Sequence, residues 1–244
     1  MRMGIFITIA GLVLLAGCNR PVEVGYRVTV TVDDNGTLHT GSGVWRVAMR
    51  GGGFPNEYTS TFHGEAIPVD LGTKGTVYVL IAGRDDQGNP TSTDDLELYG
   101  RHLFGEVARI TRGEKAKGLN PLEQMEELRT MTGQTALLDC AHPPTKYTSC
   151  PLMVRFRDEK NPMSVEAVDP LDFAATFGPS VALKPIKVQL SDEAVTAGIA
   201  KRFEWWNEYL SKHFDGSPMG IEDLKTRDIR ARMNSREFSS ETAK

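Results

Sequence analysis

The chain predicts an α+β protein built mainly on antiparallel β-sheet, with a helical middle segment and an aromatic helix near its C-terminus. Three observations carry that prediction. Tyr26, Val28, Val30 and Val32 alternate with Arg27, Thr29 and Thr31, the period of two that marks a strand with one buried face. Turn residues such as Asp33-Asp34-Asn35-Gly36 join successive strand signals by short connections, which favours antiparallel neighbours. Apart from a short helix at Leu171 to Phe177, helical spacing is confined to two places, roughly residues 93–131 and Glu193 to Phe214.

The N-terminal segment comes first. Arg2 precedes an apolar run from Ile5 to Leu15, broken only by Thr8 and Gly11, and Leu15-Ala16-Gly17-Cys18 closes it. A basic start, a short apolar core and small residues before a cut describe an export signal, here residues 1–17. The cysteine at the cut makes this a lipobox, so Cys18 is expected to be diacylated after cleavage, with residues 18–24 as a short tether. An ordinary secretion signal and an uncleaved anchor are the competing readings. A spanning helix needs about 20 apolar residues, and Arg20 arrives before that length. Two acyl chains hold a protein on a bilayer where one binds marginally, so attachment to a membrane through Cys18 without spanning is the expectation.

The globular part is expected over residues 25–214. A second strand runs from about Leu38 to Met49, and Gly41 and Gly43 within it predict a bulge or a close backbone approach. After the glycine loop 51–53, a strand covers Thr61 to Val69. Thr76 to Ala82 is a continuous apolar run, the mark of a strand buried on both faces. Asn120 is a good N-cap with Pro121 at the first helical position, and Leu122, Met125 and Leu128 form one stripe behind it. Strands resume at Thr135 to Leu138, Leu152 to Phe156 and Ser164 to Val168. A short helix from Leu171 to Phe177 ends at Gly178. Val181 to Leu190 alternates again, with Pro185 pointing to an edge position. In the last helix, Ile199, Phe203, Trp206 and Leu210 share a face. Residues 25–84 and 135–214 could be two β-rich lobes around the helical segment, or could share sheets. Beyond Asp215 few apolar residues remain, and 215–244 is expected to be a flexible tail.

Composition narrows the function classes. A formal net charge of −4 argues against a polybasic nucleic-acid surface. Three cysteines would leave an odd thiol in an exported chain, but a lipid on Cys18 leaves Cys140 and Cys150 to pair. Closing so short a loop contributes about 3 kcal/mol in the chain-entropy treatment. A metal site using Cys140, His142 and Cys150 is the rival, without a standard zinc spacing or an evident fourth ligand.

No catalytic signature stands out. Gly41-Ser42-Gly43 lacks the nucleophile-elbow spacing and sits inside a strand. His39, His63, His102, His142 and His213 are scattered, and His63-Gly64-Glu65 reads as a surface pair before it reads as a base and carboxylate. Asp85 to Asn89 imitates a calcium loop with its glycine two positions early. The glycines 51–53 lack the residues of a phosphate cradle. No cofactor and no metal are therefore expected. Trp205 and Tyr209, in the stretch Phe203 to Tyr209, are candidates for a partner-binding patch, against the alternative that this helix packs into the core.

Several patches resemble a family of alphaproteobacterial envelope proteins with no established activity. They are Gly25-Tyr26-Arg27-Val28-Thr29-Val30 with Thr40 to Val44, Gly64 to Leu71, Val168-Asp169-Pro170 through Phe177-Gly178, and Thr196 to Arg202. The resemblance implies a Gram-negative envelope and a periplasmic face, and transfers no catalytic residue. Asn19 after the cysteine, by similarity to enterobacterial sorting, favours the outer membrane over the inner. The functional expectation is an envelope lipoprotein that binds a protein or an envelope component without catalysis; the alternative is a periplasmic hydrolase with a dispersed site.

Overall fold

A computed structural model describes residues 20–52, 57–83, 120–141, 150–219 and 228–243. The predominance of antiparallel sheet is confirmed. Strands β1 (Val22–Asp34), β2 (Thr37–Gly52), β3 (Glu57–His63), β4 (Ile67–Asp70) and β5 (Thr76–Gly83) precede helix α1 (Pro121–Arg129). There follow β6 (Thr135–Leu138), β7 (Pro151–Phe156), β8 (Val165–Val168), α2 (Phe173–Phe177), β9 (Val181–Leu183) and β10 (Ile186–Leu190). Cys18 and most of the expected helical segment 93–131 lie outside the described residues.

Two sheets form a sandwich. The larger has six strands in the order β3-β2-β1-β10-β6, with β9 also on β1, and the smaller runs β4-β5-β7-β8. Each sheet therefore takes strands from both ends of the sequence, so residues 25–84 and 135–214 share their sheets and are not separate lobes. The inward set of β1, from Val22 to Val32, faces Val69, Val79, Ile81 and Met153 of the smaller sheet in one core. Its outward set is polar, as the period of two requires.

The β1–β2 hairpin turns on Asn35 and Gly36, with φ of 49° and 89°. Those left-handed values suit the right-handed strand twist, which is why Asn-Gly marks such turns. Further along β2, Gly41 and Gly43 point inward, where the close approach expected from sequence is found. A Cβ on Gly41 would lie 2.3 Å from the Pro68 carbonyl oxygen, and one on Gly43 would lie 2.9 Å from Ile67 Cγ1. The missing side chains let β4 lie directly on β2, closing that end of the sandwich.

Asn120 caps α1 as expected, in a reciprocal box with Glu123. Met125 and Leu128 are buried in the first core beside the start of β1. The alternating stretch Val181 to Leu190 is broken in two rather than forming one edge strand. Lys184 and Pro185 divide β9 from β10, both of which pair with β1. Pro185 cannot donate to the ladder, and it stands at the break.

The long aromatic helix is the main correction. Residues 193–214 do not form one helix: they contain only the 3₁₀ turns Ile199–Arg202 and Trp206–Tyr209. Gly198 takes a φ of 128°, a backbone that an L side chain rarely adopts and a helix cannot contain. Phe203, Trp205 and Trp206 are all buried. One helix would set the last two about 100° apart, and short turns let both reach the same sheet.

These turns cover the outer face of the smaller sheet in a second core with Tyr78, Leu80, Val154 and Phe156. That explains why every residue of β5 is buried, the doubly covered strand expected from its apolar run. The C-terminal stretch completes this layer. Residues 228–243, expected to be flexible, place Met233 and Phe238 at zero exposure against the same aromatics. Asn234 and Glu237 cap one another's turn, and Ala66 N–H donates to the Phe238 carbonyl at 2.7 Å. A polar composition conceals this packing because two apolar side chains anchor it and the buried polar ones serve the backbone.

Candidate functional site

The arrangement of the larger sheet creates a depression on its outer face. In register, Ala48 of β2 lies between Glu23 of β1 and Thr61 of β3, and Arg50 stands opposite Thr59. One small residue in a rank of larger ones leaves a dip. It is a cleft of about 340 Å³ walled by Pro21, Glu23, Arg50, Thr59, Thr61 and His63, with Ala48 as floor. Strand alternation directs these side chains away from the core, whose residues at this end are Val22, Met49 and Phe62.

The charges around this cleft differ in how they are committed. Arg46 is paired to Glu23 at 3.3 Å and also donates to the Glu193 carbonyl at 3.0 Å. Arg27 Nε donates to Glu193 Oε1 at 3.0 Å and its Nη1 donates to Ser42 at 3.1 Å. The Arg27 hydrogen bond holds the Glu193 carboxyl below its ordinary range. His63 Nδ1 lies 3.6 Å from a Glu241 carboxylate oxygen, a contact that attracts only when the imidazole is protonated. Arg50 is exposed and makes no ion pair among the described residues.

A second cleft, of about 360 Å³, opens where the chain leaves β6 for the disulfide. Asp139 to Ala141 line one side, and α2 with β9 line the other. Its lining mixes the charged residues Asp139, Asp172 and Lys184 with apolar ones.

The C-terminal layer is fastened by polar contacts rather than by a reactive centre. Glu65, 7% exposed, accepts the Ile199 N–H at 2.7 Å and the Ser239 hydroxyl at 3.2 Å. Its carbonyl accepts the Trp45 indole N–H at 2.8 Å, tying the layer to the first core. The Tyr78 hydroxyl donates to Glu159 at 2.6 Å and accepts from Arg202 Nε at 2.7 Å. Burial, reinforced by Glu159, pushes the phenol well above its ordinary value, so it remains a neutral clasp.

Of the residues singled out from sequence, Cys140 and Cys150 are joined in a disulfide with Cα atoms 5.6 Å apart. That removes both thiolates from the metal alternative. Trp205 lies in the second core, 7% exposed, and its indole N–H donates to the Glu159 carbonyl at 2.8 Å. It is packed rather than presented, and Tyr209 is half-buried beside it. His63 and Glu65 separate, one on the outer face and one inside. Ser42 serves Arg27. His39 sits opposite Val32, remote from the row that pairs His63 with Arg46. His213 is buried. His102, His142 and Asp85 to Asn89 lie outside the described residues, among which no group of three His, Cys, Asp or Glu side chains could hold a metal.

Sequence reading missed Arg50, Thr59 and Thr61. Their alternation places them on one face of two strands, but only the register shows that the threonines flank the arginine. The chain matches no family profile, no curated protein and no solved structure.

Proposed function

We propose that this chain is a lipid-anchored protein of the bacterial envelope, held on the periplasmic face of the outer membrane, where it binds a protein or an envelope component. The lipobox Leu15-Ala16-Gly17-Cys18 carries the reading. Two structural features support it. The first strand begins at Val22, so the tether from Cys18 is only a few residues and a folded domain follows at once. The Cys140–Cys150 bond suits an oxidising compartment. Binding is the leading reading, and a periplasmic hydrolase with a site assembled from dispersed residues is the alternative.

Metabolic labelling with an alkyne fatty acid tests the anchor. The natural chain should incorporate label and sediment with membranes, while Cys18→Ala should do neither. Labelling that survives Cys18→Ala would overturn the lipoprotein reading. Cross-linking followed by pulldown from solubilised envelopes tests binding; a chain recovered alone under every cross-linking condition argues against a protein partner.

A further inference from the structure

We propose that the cleft floored by Ala48 is a phosphate site, and that the headgroup of an anionic phospholipid beside the lipid anchor fills it. The phosphate chemistry stands on the cleft alone; the lipid source rests on the anchor reading above.

Charge commitment selects the anion. Arg27 and Arg46 are held by carboxylates, whereas Arg50, in the cleft wall, makes no ion pair among the described residues. A guanidinium offers paired N–H groups that match two phosphate oxygens. Thr59 stands directly across from Arg50, and Thr61 stands two pairs further along, opposite Ala48; both are exposed on this face. Each can donate to a remaining oxygen. Glu23 also lines the cleft, but its carboxylate is engaged by Arg46, and Glu241 stands against His63. Of the two carboxylates, Glu23 is thus balanced by an arginine, and Glu241 lies behind His63 rather than in the cleft lining.

Position selects the source. Pro21 forms part of the wall, three residues after Cys18. At no more than about 3.6 Å per residue, an acylated Cys18 lies within roughly 11 Å of Pro21 along the chain. That span is short enough to hold the mouth of the cleft among the phosphates of the leaflet. Arg20, exposed on the same short run, adds a second cation near the surface. Cations at such a surface attract anionic lipid and weaken with salt.

The test uses the full lipoprotein in nanodiscs of phosphatidylcholine, alone or with one-third phosphatidylglycerol. Hydrogen exchange of residues 48–51 and 58–63 should slow in the phosphatidylglycerol discs only. In the Arg50→Gln variant that slowing should disappear. Glycerol phosphate titrated onto the phosphatidylcholine discs should bind saturably, about five- to tenfold more weakly in Arg50→Gln and in Thr59→Val/Thr61→Val. Saturable glycerol phosphate binding without any effect of phosphatidylglycerol keeps the site and overturns the lipid source. No saturable binding in either arm overturns the site itself. Mass spectrometry of the N-terminal peptide reads the anchor separately: an unacylated Cys18 removes the lipid source, while the glycerol phosphate arm still decides the site. Unchanged unfolding midpoints for the variants exclude misfolding as the cause of any loss.

Discussion

Replacing Glu65 should loosen the C-terminal layer in a graded way. In Glu65→Ala the Ile199 N–H loses its carboxylate partner, and the buried position leaves no water to replace it. An orphaned buried donor costs about 1–3 kcal/mol, more when the lost acceptor is charged, and the vacated space adds a cavity cost. A total of about 3–5 kcal/mol is expected. Glu65→Gln behaves differently. Its amide oxygen can still accept from Ile199, and its NH₂ can donate to the Ser239 oxygen, so geometry survives and charge assistance is lost. Neutral hydrogen bonds are roughly half as strong as charge-assisted ones, which puts this variant near 1 kcal/mol. Urea unfolding of the oxidised protein, followed by tryptophan fluorescence, measures both. With a slope of about 2–3 kcal/mol/M, the alanine variant should lower the midpoint by roughly 1–2 M and the glutamine variant by less than half of that. Equal losses in the two variants, or a loss below about 1 kcal/mol in Glu65→Ala, would refute the assignment of Glu65 as the polar anchor of this layer.

Other perturbations follow from the same geometry. Gly41→Ala forces a Cβ against the Pro68 carbonyl at 2.3 Å, a backbone atom that cannot rotate away, and should cost about 1–3 kcal/mol by the same unfolding assay. Cys140→Ser/Cys150→Ser should lose about 3 kcal/mol; non-reducing mass spectrometry that finds free thiols in the natural protein would sink the premise. Asp33, hydrogen-bonded by Lys184, and Asp34, hydrogen-bonded by Lys74, have carboxyls held below their ordinary range. Their folded values lie under the unfolded ones, so their contribution is present above about pH 4 and is lost as pH falls through the folded values. Urea midpoints should therefore drop between pH 5 and pH 2 by the ordinary window for such carboxyls, and Lys74→Met/Lys184→Met should flatten that part of the profile.

The legibility of the chain in sequence was uneven, for physical reasons. Strands with one wet face write their own signature, and β1 was readable from Tyr26 to Val32 because core and solvent alternate along it, although its first residues, from Val22, were expected in the tether. Turn chemistry was equally plain at Asn35-Gly36, and so was the capping of α1 by Asn120. The 3.6-residue spacing of Ile199, Phe203 and Trp206 was misleading, since an aromatic surface can be covered by short turns as well as by a helix. Met233 and Phe238 were too few to distinguish a packed segment from a loose tail.

What the sequence by itself determined was local: the strand periods, the turns, the cap of α1 and the closeness in sequence of Cys140 and Cys150. Only the tertiary structure decided which strands are neighbours, and with them the register that sets Arg50 beside Thr59 and the contact that brings Ser239 to Glu65. The reason is one of range. Alternation and capping are settled by residues a few positions apart, whereas a site assembled from neighbouring strands exists only once the chain has chosen its partners.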